Sequence, residues 1–208
     1  MKPEEIEALS FQIIDTEAEA HAYPPDQWTI VRRVIHTSAD FDYQRSIRFH
    51  PDAVAAGLAA IRSGKPMFTD TRMAQAGIRR AELERFGVTV SCYINDARVA
   101  ETAANNQITR SQAAVDRAVP ELSGGIYVVG NAPTALLRLI ERVNDRSAAP
   151  ALIIGFPVGF VNAVESKAAL LSLDCPYITN VGRKGGSNIA AGVVNALVQL
   201  ALAEPSPP

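Results

Sequence analysis

The sequence predicts an α/β fold: a mostly parallel sheet of five strands with helices on both faces and further helices at the N-terminus. Three observations carry this. From Pro66 onward, short apolar runs recur with few polar interruptions, as strands buried on both faces require. Each run is followed by a stretch with helical spacing, which gives strand–helix alternation. Three of the five strand ends carry glycine (Gly130, Gly155 and Gly182), where backbone and ligand can approach closely.

In chain order, Ile6, Leu9, Ile13 and Ile14 repeat at helical spacing, and so do Trp28, Val31, Val34 and Ile35 after the Pro24-Pro25 break. A third helix is expected from Asp52 to Arg62, stopped by Gly64. The expected strands are Pro66–Asp70, Val88–Ile94, Ile126–Gly130, Ala151–Gly155 and Tyr177–Val181. Helices are expected between and after them, over residues 71–86, 99–118, 134–145, 162–172 and 187–203. No repeat or linker divides the chain, so residues 1–208 read as a single domain, with the proline-rich 204–208 as a frayed tail.

Composition narrows the function. Nearly half the residues are hydrophobic (48%) and 20% are charged, enough apolar material for a core and too much for disorder. A formal charge of −2 lacks the basic excess of a nucleic-acid binder. The pairs Arg79-Arg80 and Arg183-Lys184 can still meet an anionic small molecule. Cys92 and Cys175 are far apart without CxxC pairing and read as free thiols in a reducing cytosol. The opening Met1 to Glu5 is unlike a signal peptide, and the runs Pro150–Val161 and Ile189–Ala203 are too short to span a bilayer. The expectation is a cytoplasmic protein that touches no membrane.

In such sheets, ligands bind beyond the carboxyl ends of the strands, at a topological switch point. The strand ends carry Asp70-Thr71-Arg72, Asn95-Asp96, Gly130-Asn131-Ala132, Gly155-Phe156-Pro157 and Gly182 through Asn188. In the last of these, Arg183, Lys184, Gly185 and Gly186 precede a helix that Ser187 can cap, a plausible cradle for phosphate or carboxylate. Its spacing is neither a Walker loop nor a dinucleotide fingerprint. Asn131 can cap the helix that begins at Pro133 or point at a ligand, and capping is the simpler role. The turn from Gly155 to Lys167 mixes Gly, Pro and aromatic residues and suits a large flat ligand. Thr109 or Ser111 can cap a helix at whose start Arg110 is electrostatically misplaced, a local irregularity of the kind functional sites show.

The residue best placed for acid–base chemistry is His36, which ends an apolar helical segment and precedes small polar residues and two carboxylates. Histidine has the side-chain pKa nearest neutrality, so it can give or take a proton at working pH. Asp40 and Asp42 can orient its ring as readily as bind an ion. Scattered histidines and isolated cysteines lack zinc-type spacing, so no metal site is expected, and no Ser or Cys sits in a nucleophile elbow.

Read in order, several blocks resemble the precorrin-8X methylmutases of corrin (vitamin B12) biosynthesis along nearly the whole chain. They are Ser10–Ile14, Arg33–His36, Asp70 through Ile78, Ile108–Ser111, Gly130–Ala135, Pro157–Phe160 with Glu165–Lys167, and Gly182–Ser187. The resemblance implies a Rossmann-like fold, a homodimer and an isomerase that moves a methyl group from C11 to C12 of a tetrapyrrole, giving hydrogenobyrinate or cobyrinate. The family's essential histidine falls on His36, as proton donor to a ring nitrogen, and its substrate-contacting serine and arginine fall on Ser10 and Arg110.

A rearrangement without redox change or external group needs no cofactor. One positioned acid supplies roughly 10²–10⁴-fold, or about 3–5 kcal/mol of barrier. The macrocycle's acetates and propionates call for cations such as Arg72, Arg79, Arg110, Arg183 and Lys184. Asp70, Thr109, Ser111, Asn131, Gly185 and Gly186 complete the expected substrate-binding set. Of the family's two branches, His36 to Asp42, Phe68 to Thr71 and Cys92 to Asp96 look more like the one acting on the cobalt-bearing ring. The alternatives are a non-catalytic corrinoid-binding or chaperoning protein, which would not need His36, and a nucleotide-phosphate site at Gly182–Ser187.

Overall fold

Along the run Ile126–Val129, Ile126 and Val128 join one apolar cluster while Tyr127 and Val129 join another. That period of two, with both faces apolar, requires a helix layer on each side of the sheet. The computed structural model has this architecture; it describes residues 2–203, with Pro3 and Glu4 as backbone only. The frayed tail expected at 204–208 lies outside the described residues.

The chain begins with α1 (Pro3–Glu17), α2 (Pro25–Ser38) and α3 (Asp42–Ser46), followed by β1 (Ile47–Phe49), α4 (Ala53–Arg62) and β2 (Met67–Thr69). Next come α5 (Arg72–Gly77), α6 (Arg80–Glu84), β3 (Val90–Ser91), α7 (Ala97–Asn105) and α8 (Arg110–Ala118). The last elements are β4 (Ile126–Val129), α9 (Pro133–Asn144), β5 (Leu152–Gly155), α10 (Ala163–Leu171), β6 (Tyr177–Asn180) and α11 (Ser187–Ala203). The strands lie in the order β1-β6-β5-β4-β2-β3, parallel except for β1, which runs against β6. One layer of the core gathers α2, α4 and α11, with Ile14 of α1, and the other gathers α8, α9 and Leu170 of α10.

The mostly parallel α/β sheet is as expected, but it has six strands where the sequence reading gives five. The additional strand, β1, has three residues, too few for a periodicity to register. The run 88–94 pairs only over Val90–Ser91, at the opposite sheet edge.

Two expected helices are each broken in two. The helix expected over 71–86 stops because Ile78 is extended, and Asn195 of α11 satisfies the freed backbone by donating to the Gly77 carbonyl and accepting from Arg79 N–H. The helix expected over 99–118 breaks at Gln107, whose φ is 53°. Gln107 N–H reaches the Ala104 carbonyl and Ile108 N–H the Ala103 carbonyl, the paired bonds of a Schellman ending.

Strand order reverses between β2 and β4, the switch point at which a ligand is expected. Here the chain itself closes the crevice. Asp70 follows β2, is 1% exposed, and accepts hydrogen bonds from the N–H groups of Gly130, Asn131 and Ala132 at 2.8–2.9 Å. Burial raises its carboxyl pKa against the pull of those donors. A Cβ on Gly130 would lie 2.6 Å from Ser187 Cα, and the Ser187 hydroxyl meets Thr71 Oγ1 at 2.7 Å.

Candidate active site beside the carboxyl edge

Helix α2 begins with Pro25 in its first turn, where no N–H is needed, and buries Ile30, Val31, Val34 and Ile35 against the core. His36 follows that buried stripe and turns toward α1. Its ring centroid lies 5.1 Å from that of Phe11, tilted by 47°. The guanidinium groups of Arg32 and Arg33 stand 4.6 and 4.8 Å from the same Phe11 ring, within cation–π range. Arg33 is nearly buried and donates to Glu7 of α1 and Gln199 of α11, which fixes the three helices to one another.

Beside these rings is a cavity of about 410 Å³ whose lining includes Ser10, Ile13, Ile14, Glu17, His36 and Phe41. It falls in the size range of small-molecule sites, roughly 300–1,000 Å³. Ser10 and His36, 26 positions apart in the sequence, thus face one space. Ser10 Oγ donates to the Ile6 carbonyl at 2.8 Å, so the hydroxyl oxygen can still accept a hydrogen bond. An imidazole, a hydroxyl and apolar walls can grip a flat, largely apolar ring and pass it a proton.

The expectation for Asp40 and Asp42 is corrected. Ala39 takes a left-handed conformation (φ 52°) that ends α2, and beyond it both carboxylates reach Lys184 Nζ, at 2.5 and 2.6 Å. They anchor the turn after β6, and among the described residues neither carboxylate hydrogen-bonds the imidazole. Hydrogen bonding to Lys184 holds the Asp40 carboxyl below its usual range and raises the Lys184 ammonium. Lys184, expected to meet a substrate carboxylate, is already paired within the chain.

The glycines of that turn also differ from the expected cradle. Gly186 N–H donates to the Phe156 carbonyl at 2.9 Å, and Gly185 packs against the Phe156 and Pro157 carbonyls too closely for any side chain. The Arg183 guanidinium stands 5.4 Å from the ring of Phe160, which is 85% exposed.

Asn131 does not cap α9: the N-cap is Ala132, without a side-chain cap, and Asp70 serves that helix start from the neighbouring strand. Asp70 therefore shapes the loop, with its oxygens engaged by backbone. Arg72 is exposed at the start of α5. Arg79 faces Glu7 at 3.7 Å and Glu82 at 3.5 Å. Thr109 caps α8 in a capping box with Gln112 and meets Thr134 Oγ1 at 3.3 Å, which brings the starts of α8 and α9 together. Arg110 and Ser111 open α8 in the helix layer opposite α1 and α2, so a single chain joins Ser10 to His36 but holds Arg110 apart.

Among the described residues, no three His, Cys, Asp or Glu side chains form a metal-binding group. His21 stacks on Trp28 at 3.9 Å, and His50 Nδ1 accepts from Asp52 N–H, both structural uses of histidine. The sequence reading placed Phe11 and Lys167 within family blocks but gave neither a role; Phe11 packs against His36, and Lys167 is buried under the β6–α11 turn. The signal for Lys167 was present: it shares the i, i+4, i+7 stripe with Ala163 and Leu170, the face that α10 buries.

Comparison with known proteins adds to this geometry. Residues 5–200 match the family described as CbiC, precorrin-8X methylmutase. The cobalt-precorrin-8 methylmutase of Priestia megaterium is 46% identical over 201 residues, covering 97% of this chain and 89% of that protein. The enzyme of the same name from Salmonella typhimurium is 44% identical, with 95% of each chain covered. A crystal structure of precorrin-8X methylmutase from Thermus thermophilus superposes with a TM-score of 0.89 at 42% identity, covering 96% of this chain and 97% of that one.

Proposed function

Because the chain belongs to the precorrin-8X methylmutase family, and is thereby an isomerase of corrin biosynthesis, we propose that His36 is the acid of its methyl migration. The reading rests most on one observation: His36 and Ser10 line the same apolar-walled cavity. In the proposed step, the imidazolium donates a proton to a ring nitrogen of the bound macrocycle. The electron-poor ring then lets the methyl group leave C11 as its bond to C12 forms. Loss of the proton back to His36 restores the catalyst, and the reaction has no net redox change. Ser10 and the Phe11–His36 contact orient ring and acid, a positioning effect that adds to proton transfer.

The substrate is proposed to be the cobalt-bearing ring, supported by the names of the Priestia megaterium and Salmonella typhimurium relatives, two of the three above. Cobalt then arrives within the substrate. Arg72, Arg79, Arg110 and Arg183 are proposed to meet its peripheral carboxylates. We further propose a homodimer. Val158, Phe160, Val161 and Val164 are exposed on and just beyond the β5–α10 turn, and Val181 is exposed on the adjoining one, apolar surface that a second copy would cover. No helix among the described residues is long and apolar enough to cross a membrane, and a cytoplasmic location is proposed from the two free cysteines.

The test is to mix purified protein separately with metal-free precorrin-8X and cobalt-precorrin-8 and follow the absorption spectrum. The expected result is a corrin chromophore in both, faster with cobalt. Spectral perturbation without a new product would instead mark a corrinoid-binding protein.

A further inference from the structure

Lys167 is 1% exposed, and its ammonium has no ion pair among the described residues. It donates to Asn180 Oδ1 at 3.2 Å and to the Lys184 carbonyl at 2.7 Å. Asn180, also buried, donates from Nδ2 to that carbonyl at 2.9 Å and to the Val181 carbonyl at 3.2 Å. The backbone of the turn after β6 is thus tied at Lys184 from below. Its side chain is tied from the other side, because Lys184 Nζ binds Asp40 and Asp42 just beyond the end of α2. A continuous chain of contacts runs from α10 through the turn to the segment that follows His36.

Burial depresses the Lys167 ammonium to a pKa of about 8. A buried cation without a carboxylate partner costs stability, and an apolar side chain of similar length would avoid that cost. Residues kept against stability mark functional constraints. We propose that Lys167 is a positioning residue of the active site: it fixes the Lys184 carbonyl and, through Lys184, Asp40 and Asp42, holds the turn that follows His36. The inference rests on the methylmutase reading for what the site does.

The test compares wild type, Lys167→Met and the double variant Asp40→Asn/Asp42→Asn in the full-length protein. Amide exchange is read over residues 181–187, and kcat and KM are measured with the preferred precorrin. For Lys167→Met, we expect a melting temperature at or above wild type, exchange in the turn at least about tenfold faster, and kcat/KM lower by about ten- to a hundredfold. The double variant should keep the turn protected, since Lys167 still holds its carbonyl, but lose kcat.

Wild-type exchange and kcat/KM in Lys167→Met would overturn the proposal, leaving Lys167 a packing residue. An unchanged kcat in the double variant would overturn the link to His36. Should Lys167→Met not fold, Lys167→Gln, which keeps a donor for one carbonyl, gives the same readouts. If wild type converts neither precorrin, the methylmutase reading fails, and the exchange comparison still decides whether Lys167 holds the turn.

Discussion

At the level of single residues, the carboxyl edge is organised by close approach and by buried polar groups that serve backbone. Gly130 illustrates the first. A Cβ there would sit 2.6 Å from Ser187 Cα and 3.0 Å from Ser187 N, both main-chain atoms that no rotamer change can move. Gly130→Ala should therefore destabilise the protein by about 1–3 kcal/mol, the usual cost of overpacking. Urea denaturation checks this, and a midpoint equal to wild type would show that α11 can shift freely. His36 could be singled out as a candidate acid from the sequence because it falls on the histidine of the ordered family blocks; its immediate neighbours added little. The fate of those neighbours was not legible. The left-handed turn at Ala39 sends Asp40 and Asp42 to Lys184, more than a hundred positions away, and no local pattern encodes that meeting. Asn131 was misread for the same reason: its helix start is served by Asp70 across the sheet.

Among the elements, the central strands and the long helices α9 and α11 were readable because continuous apolar runs and helical periodicity extend over their whole length. The breaks at Ile78 and Gln107 were not, since each depends on backbone groups that find partners only in the folded chain. Helices α8 and α9 are joined at their far ends by Asp116, which accepts from Arg138 at 2.8 and 2.9 Å and from Arg142 at 2.8 Å. Burial alone would raise the Asp116 carboxyl, but the hydrogen bonds from Arg138 and Arg142 outweigh it and hold the pKa below its ordinary value. The sign follows from linkage: the stabilisation is complete above the unfolded-state value of about 3.9 and is lost as pH falls through the lower folded-state value. Asp116→Asn should cost roughly 1–3 kcal/mol at neutral pH and flatten the loss of stability below about pH 4. Thermal melts from pH 7 to 3 would show it, and parallel wild-type and variant curves would contradict it.

For the whole molecule, the α/β class followed from alternating strands and helices, and the general rule directed attention to the carboxyl edge. The crevice where strand order reverses is closed by Asp70, Thr71 and Ser187, and a cavity of about 410 Å³ lies between α1 and α2 at His36. Helix α1, outside the strand–helix repeat, supplies Ser10 and Phe11. The N-terminal helices therefore turn a common sheet into this site, which explains why the ordered family blocks were more informative than the fold. They include Ser10 at one wall and His36 at the other.

The central claim, that His36 supplies the proton for methyl migration, is tested by the single-turnover rate of His36→Ala with saturating precorrin. Binding is monitored from the spectral shift. The variant should still bind the macrocycle while corrin formation slows by roughly 10²–10⁴-fold. Corrin formation at the wild-type rate would contradict the account.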